Sequence, residues 1–208
     1  SDNGCSKAAG IGALAKQGHV VSAHLRGSKA DLWDGGHRIP FIVKWPGKVK
    51  PGSQSGQLIC LTDLFATVSE IVDAKLPEGS AEDSVSFLPA LSGAKIVSTR
   101  NGVIHHSISG HFAYRQGPWK LLLARASGGW SSPKENQAKK GSPPAQLYDM
   151  ETDVGERKNL YLEKPEVAKK LLALLKEDVK RGRSTKGSAS KNDIDKIVLW
   201  KNGQPRSE

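Results

Sequence analysis

The chain has 208 residues, with 31 Lys and Arg against 21 Asp and Glu and a formal net charge of +10, a length that buries a real core in one ordinary domain or two small ones. No apolar run approaches the roughly 20 residues of a membrane-spanning helix, and the first residues have neither the basic nor the apolar region of a signal peptide. Two cysteines, Cys5 and Cys60, are too few for a disulfide framework or a zinc site.

The positive balance favours an anionic partner. The basic residues are spread along the chain without zinc-finger spacing, an RNP-like strand or a basic heptad, which argues against nucleic acid. Sulfated or carboxylated polymers suit the same charge. Both cysteines read as small, buried side chains.

In chain order, Asp2-Asn3-Gly4 is a tight turn carrying two hard oxygen donors, and either a type I′ turn or a Ca²⁺ or Mg²⁺ ligand pair gives this pattern. Residues 5–18 are small and Gly/Ala-rich, a weak helix or loop. The stretch 25–40 is dense in Gly and charge. Within it, Lys29 is either an oxyanion contact or a solvated lysine. His37 is a general acid or a capping imidazole, and Arg38 is an anion clamp or a structural partner of Asp31 or Asp34. The apolar run 39–45 predicts a strand covered on both faces. Residues 57–61 are a short strand or a helix lead-in. Thr62 is a good N-cap for a helix ending before Pro77, with Leu64, Phe65, Val68, Ile71 and Val72 on one apolar face.

From Arg100 the pattern changes to short strands with short linkers, 102–108, 111–115 and 119–123, which pair antiparallel, with a fourth strand over 146–150. Residues 127–144 form a polar loop. A helix over 165–181 starts on Pro165, buries a stripe of Val167, Leu171, Leu174, Leu175 and Val179, and is capped by Gly182. Residues 194–200 are a last strand or part of a tail.

Read together, Ser1-Asp2-Asn3-Gly4, Leu25-Arg26-Gly27-Ser28-Lys29, Trp33-Asp34-Gly35-Gly36-His37-Arg38-Ile39-Pro40 and Trp45-Pro46-Gly47 resemble the second half of a type I, arylsulfatase-like sulfatase. The resemblance continues through Leu61 to Thr67, Phe87 to Gly93, Trp119-Lys120-Leu121, Leu147 to Asp153, Glu156, Asn159-Leu160 and Gly182 to Thr185.

The resemblance implies an α/β and α+β fold: the remnant of an alkaline-phosphatase-like α/β domain over 1–96, then a small antiparallel sheet with a C-terminal helix over 97–208. It implies that Asp2 and Asn3 supply two of four side-chain ligands of an active-site Ca²⁺, in preference to Mg²⁺. Lys29 would contact the substrate sulfate. By position His37, His105, His106 and His111 are further candidates to reach substrate, against readings as core or surface histidines. The implied substrate is a sulfated small molecule or polysaccharide, with the parent protein periplasmic or secreted.

One departure qualifies this. Sulfatases make a formylglycine nucleophile from a Cys/Ser-x-Pro/Ala-x-Arg motif, and neither Cys5-Ser6-Lys7-Ala8-Ala9 nor Cys60-Leu61-Thr62-Asp63-Leu64 fits. The expectation is therefore a C-terminal portion with half a metal site and no nucleophile, inactive alone. The alternatives are a non-catalytic basic module that binds anionic polysaccharide, and a phosphatase or phosphomutase of the same superfamily. A portion lacking its neighbouring strands is expected to self-associate through the apolar faces of 41–43 and 64–72.

Overall fold

The structure, a computed structural model, describes residues 1–97 and 99–202. The chain forms two compact units, each discontinuous in sequence. One comprises Ser1–Pro40, Ile104–Ala173 and the stretch from Lys196; the other comprises Phe41–Val103 and Leu174–Asp195.

The first unit is built on a four-stranded antiparallel meander. Its strands are β1 (Val103–His106), β2 (Phe112–Gln116), β3 (Trp119–Leu122) and β4 (Gln146–Asp149), in sequence order across the sheet. All four were legible from alternation and short turns, within two residues at each end. Gly117 sits at φ 53° in the β2–β3 turn, where positive φ suits a residue without Cβ. The register opposes Ala113 to Leu122, Tyr114 to Leu121 and Arg115 to Lys120, then Lys120 to Tyr148 and Leu121 to Leu147. Leu32, Trp33, Ala113, Leu122, Ala124, Tyr148 and Met150 form the core cluster.

Two short helices precede the sheet, α1 (Ile11–Lys16) and the single turn α2 (Asp34–His37). Helix α5 (Pro165–Arg181) starts on Pro165 as expected and belongs to the first unit through Ala173. Ala168, Leu171 and Leu175 are its buried apolar residues, so the observed stripe is narrower than the predicted one. Gly182 follows at φ 65°.

The second unit holds α3 (Asp63–Ile71) and α4 (Leu88–Leu91). Thr62 does not cap α3. It has helical φ and ψ, and its hydroxyl donates to the Asp83 carbonyl (3.1 Å). Asp63 organises this end instead, accepting from the Cys60 and Val85 amides and pairing with Arg100 through both carboxylate oxygens, at 2.5 and 2.7 Å.

Two further expectations are corrected, at residues 39–45 and at the two cysteines. Residues 39–45 carry no strand; a strand needs a partner for its amides and carbonyls, and Ile42 is 89% exposed. Of the alternatives open at 57–61 and 194–200, neither stretch takes the strand; 57–61 leads into α3, and Trp200 is buried. The face of α3 that the periodicity would bury is the exposed one: Leu64, Phe65, Val68, Ile71 and Val72 all face solvent, while Asp63, Ala66 and Thr67 are buried. Neither cysteine is fully buried.

Candidate active site

The opening turn is fastened to the glycine-rich loop by backbone hydrogen bonds. The Gly4 amide donates to the Gly36 carbonyl and the Lys29 amide donates to the Cys5 carbonyl, each at 3.0 Å. This close approach requires glycine, since a Cβ on Gly4 would overlap the Gly35 carbonyl, and one on Gly35 would overlap the Gly27 and Arg26 carbonyls. The backbones of the Asp2-Asn3 turn, of Lys29 and of the Gly35-Gly36 step thus form one wall. Ser1 Oγ donates to the Asn3 carbonyl (2.8 Å), and the Asn3 amide donates to the Asp2 carboxylate. Beside them a cavity of about 370 Å³ is lined by Asn3, Cys5, Ser22, Gly35 and Arg38, among others.

The loop itself is set by Asp31, which is fully buried. Its Oδ2 accepts from the Ser28 amide (2.8 Å) and its Oδ1 from the Ser131 amide (2.9 Å). Asp31 is thereby occupied with backbone donors, and Arg38 takes the other carboxylate, lying 3.9 Å from Asp34 Oδ2 with its own side chain mostly exposed.

Behind this wall is a charged network. The ammonium of Lys120, on β3 and wholly buried, lies 2.6 Å from Asp34 Oδ1 and 2.7 Å from Glu156 Oε1. Glu156 Oε2 accepts from the Asp34 amide, which ties the first residue of α2 to the same carboxylate. Arg115 lies 4.0 Å from Asp34 Oδ2. The register places Arg115 directly opposite Lys120, a like-charge pairing that Asp34 between them offsets. Glu156 holds a positive φ of 52°, and its carbonyl accepts from Arg26 Nη1 at 2.8 Å. The Arg26 guanidinium in turn lies over the Trp33 ring, 3.6 Å from its centroid.

Burial alone would raise the Asp34 pKa, but the charge and hydrogen bond of Lys120, with Arg115 and Arg38, hold it below its ordinary value. Glu156 is pushed the other way, by burial first and the nearby Asp34 charge, against the pull of Lys120. One lysine between two carboxylates cannot lower both equally.

His37 and His105 meet with ring centroids 4.3 Å apart, tilted by 58°. Each has a solvent-shielded Nε2 without a hydrogen-bond partner. Burial, reinforced by the Lys120 charge, lowers His37 to about 4; burial, His37 and Lys120 lower His105 well below its usual value. Both imidazoles are neutral at pH 7. His106 projects from the opposite face of β1, exposed, with its ring edge-on to Phe112. His111 is buried with Nδ1 against the Leu123 carbonyl (3.2 Å).

The structure therefore fastens the Asp2-Asn3 turn to the Lys29 loop through their backbones and pairs His37 with His105. His106 stands apart and His111 belongs to the core. The roles of Lys120, Glu156, Arg26 and Arg115 were not legible. Their residues lie in or beside recognisable motifs, but nothing in the sequence says that a strand lysine points into a dry interior.

Asp2 and Asn3 offer oxygen donors of the right hardness for Ca²⁺. Two side chains are a fraction of the six to eight donors Ca²⁺ takes, and among the described residues no group of three or more His, Cys, Asp and Glu side chains is arranged to hold a metal.

No family model matches the chain. It is 36% identical over 166 residues to an N-acetylgalactosamine-6-O-sulfatase of Bacteroides thetaiotaomicron, an alignment covering 78% of this chain and 31% of that protein. It is 30% identical over 153 residues to an ulvan-active sulfatase of Formosa agariphila, covering 64% of this chain and 30% of that protein. A solved structure from work on glycosaminoglycan metabolism by Bacteroides thetaiotaomicron superposes with a TM-score of 0.67 at 31% identity, covering 80% of this chain and 34% of the other. A sulfatase from Pseudoalteromonas sp. shares the fold, with a TM-score of 0.59 at 20% identity over 74% of this chain and 32% of that one. The chain spans about a third of the length of these curated relatives.

Proposed function

For a chain that belongs with the sulfatases by sequence and by fold, we propose that the protein it represents hydrolyses sulfate esters of saccharides. The observation that carries this reading is the pair of backbone bonds that fasten the Asp2-Asn3 turn to the Lys29 loop. They hold the turn that carries the hard-oxygen pair against the loop that carries the lysine, and Asn3 lines a cavity there.

In this reading Asp2 and Asn3 contribute two ligands to a Ca²⁺ ion, in preference to Mg²⁺. When bound, the ion supplies positive charge that stabilises the sulfuryl oxygens. Lys29 brings a second positive charge to the sulfate, which counts most as the ester oxygen takes up charge. The Gly4–Gly36 and Cys5–Lys29 backbone bonds hold the two segments together, which favours positioning of these groups. His37 and His105, neutral at pH 7, present Nε2 atoms that donate or accept according to tautomer. The nucleophile is a formylglycine from a motif that neither cysteine here provides, so the 208-residue polypeptide by itself is inactive. The relatives' sulfated saccharide substrates also suit a net charge of +10 and a protein of the periplasm or exterior.

The test compares this polypeptide with one in which it is joined to a Cys/Ser-x-Pro/Ala-x-Arg motif from a relative. Only the joined protein should release sulfate from an aryl or saccharide sulfate, and Lys29→Ala should lower that rate by roughly a hundredfold. Turnover by the 208 residues alone, abolished by Lys29→Ala, would overturn the reading. Faster release of phosphate than of sulfate from matched esters would move it to a phosphatase. A salt-sensitive hold on anionic polysaccharide, with no turnover in either form, would leave a non-catalytic binding module.

A further inference from the structure

A second cavity, of about 530 Å³, shares no lining residue with the Asn3 cavity and takes Gly27 and Ser28, just before Lys29, into its wall. Its walls include Lys7, Arg26, Ser28, Trp33, Ser131 and Ser132. No carboxylate side chain is among the residues that line it. The acid nearest in the network, Asp31, is fully buried and accepts from the Ser28 and Ser131 amides.

Two cations face this space. Lys7 lies on an exposed turn and is anchored by donation from Nζ to the Trp130 carbonyl, which leaves two ammonium protons for a ligand. Arg26 uses Nη1 for the Glu156 carbonyl and the Tyr148 hydroxyl; neither its Nη2 nor its Nε has a protein partner among the described residues. The Ser28 and Ser131 hydroxyls, 3.2 Å apart, add short polar groups, and Trp33 adds an apolar wall. Fixed cations, hydroxyls and an aromatic edge, with no opposing acid, suit an oxyanion carried on a sugar ring.

We propose that this cavity binds a second anionic group, a sulfate or carboxylate, on a saccharide unit next to the one whose ester is cleaved. The site would select for polyanionic chains over singly sulfated sugars. Ser28 and Lys29 are adjacent in sequence, so one short loop would carry both anion contacts. The inference rests on the sulfatase reading for the identity of the neighbouring group, although the cavity's own binding does not depend on turnover.

The test titrates the purified 208-residue protein with four probes, following tryptophan fluorescence and heat. The probes are a disaccharide bearing both a sulfate and a uronate, one bearing only the sulfate, one bearing only the uronate, and the neutral parent. The doubly charged probe should bind in a salt-sensitive manner, and the singly charged probe whose binding is weakened by Lys7→Glu shows which oxyanion the cavity takes. Lys7→Glu should weaken binding of the preferred probe by roughly tenfold or more, while Lys29→Ala leaves measurable binding. Arg26→Gln should act in the same direction, but Arg26 also covers Trp33, so the exposed Lys7 carries the decision. Equal affinity of Lys7→Glu and the unaltered protein for every probe would overturn the proposal, as would binding of the neutral disaccharide equal to that of the charged ones. Binding that needs Lys29 and ignores Lys7 would leave the sulfatase reading standing without this site. Binding that needs Lys7, in a protein whose motif-bearing form releases no sulfate, would keep the site and remove that reading.

Discussion

Lys120 Nζ lies 2.6 Å from Asp34 Oδ1 with the lysine side chain wholly shielded from solvent. The pair joins the sheet to the loop that carries Lys29, because Asp34 begins α2 three residues after the Asp31 that shapes the loop. Buried ion pairs gain little over apolar replacements, but removal of one partner leaves an uncompensated charge. Lys120→Met should therefore destabilise the protein by about 3–5 kcal/mol, because it strands both Asp34 and Glu156. Urea unfolding followed by circular dichroism measures this. A loss under about 1 kcal/mol would show that water reaches the cluster.

Acid sensitivity follows from the histidine pair. His37 and His105 have folded-state pKa values below their unfolded values, His37 at about 4. The unfolded chain therefore binds more protons as pH falls, so stability is lost from about pH 6.5 downward until the folded His37 itself titrates near 4. For His37 alone the loss is at most about 3 kcal/mol. Asp34, with its pKa depressed, adds a loss at still lower pH, below the ordinary carboxylate range. Glu156, with its pKa raised, works in the opposite sense, since its protonation on acidification relieves a strained charge. Urea midpoints measured from pH 7 to pH 4 should fall steeply, and the double variant His37→Gln, His105→Gln should fall less. Parallel curves for the two proteins would contradict the assignment.

The sheet and α5 were legible because their signals are local. Alternation, a Gln116-Gly117-Pro118 turn and a Pro165 start need no distant partner. Residues 39–45 read correctly as apolar but incorrectly as a covered strand, and the apolar face of α3 is uncovered. Periodicity reports which side should be covered, whereas the cover itself must come from other residues, and Ile42 and Val68 have none here. The site divides in the same way. Asp2, Asn3 and Lys29 were singled out by resemblance, and the structure adds the backbone bonds that fasten Gly4 and Cys5 beside the pair to Gly36 and Lys29. The Lys120–Asp34–Glu156 cluster was invisible because its members are separated by 86 and 36 residues, and only the register of β3 turns them toward one another.

The glycine contact at the site has its own test. Gly4→Ala forces a methyl group against the Gly35 carbonyl, which must move to admit it. Overpacking of this kind costs about 1–3 kcal/mol. The displacement should be felt at the next bond along, where the Lys29 amide donates to Cys5. Hydrogen exchange at the Lys29 amide should therefore quicken in Gly4→Ala, while amides of β3, such as that of Leu121, keep their protection. Unchanged exchange at Lys29 would mean that the turn and the loop are not mechanically joined.

The exposed face of α3 predicts the solution behaviour of the polypeptide. Leu64, Phe65, Val68, Ile71 and Val72 are between 40% and 64% exposed, on a helix whose buried side holds the smaller and more polar Asp63, Ala66 and Thr67. An apolar stripe of this kind drives association when nothing else covers it. A second copy of the same helix offers a self-complementary surface, and a twofold contact would bury both stripes at once. Light scattering across a concentration series should show the monomer giving way to dimers or larger species. Burying a valine contributes about 1.5–3 kcal/mol, so Val68→Lys should raise the concentration needed by roughly tenfold or more. The substitution lies on the exposed side and should leave the α3 end, where Asp63 pairs with Arg100, intact. A protein that stays monomeric at millimolar concentration, with or without Val68→Lys, would show that this face is tolerated in water.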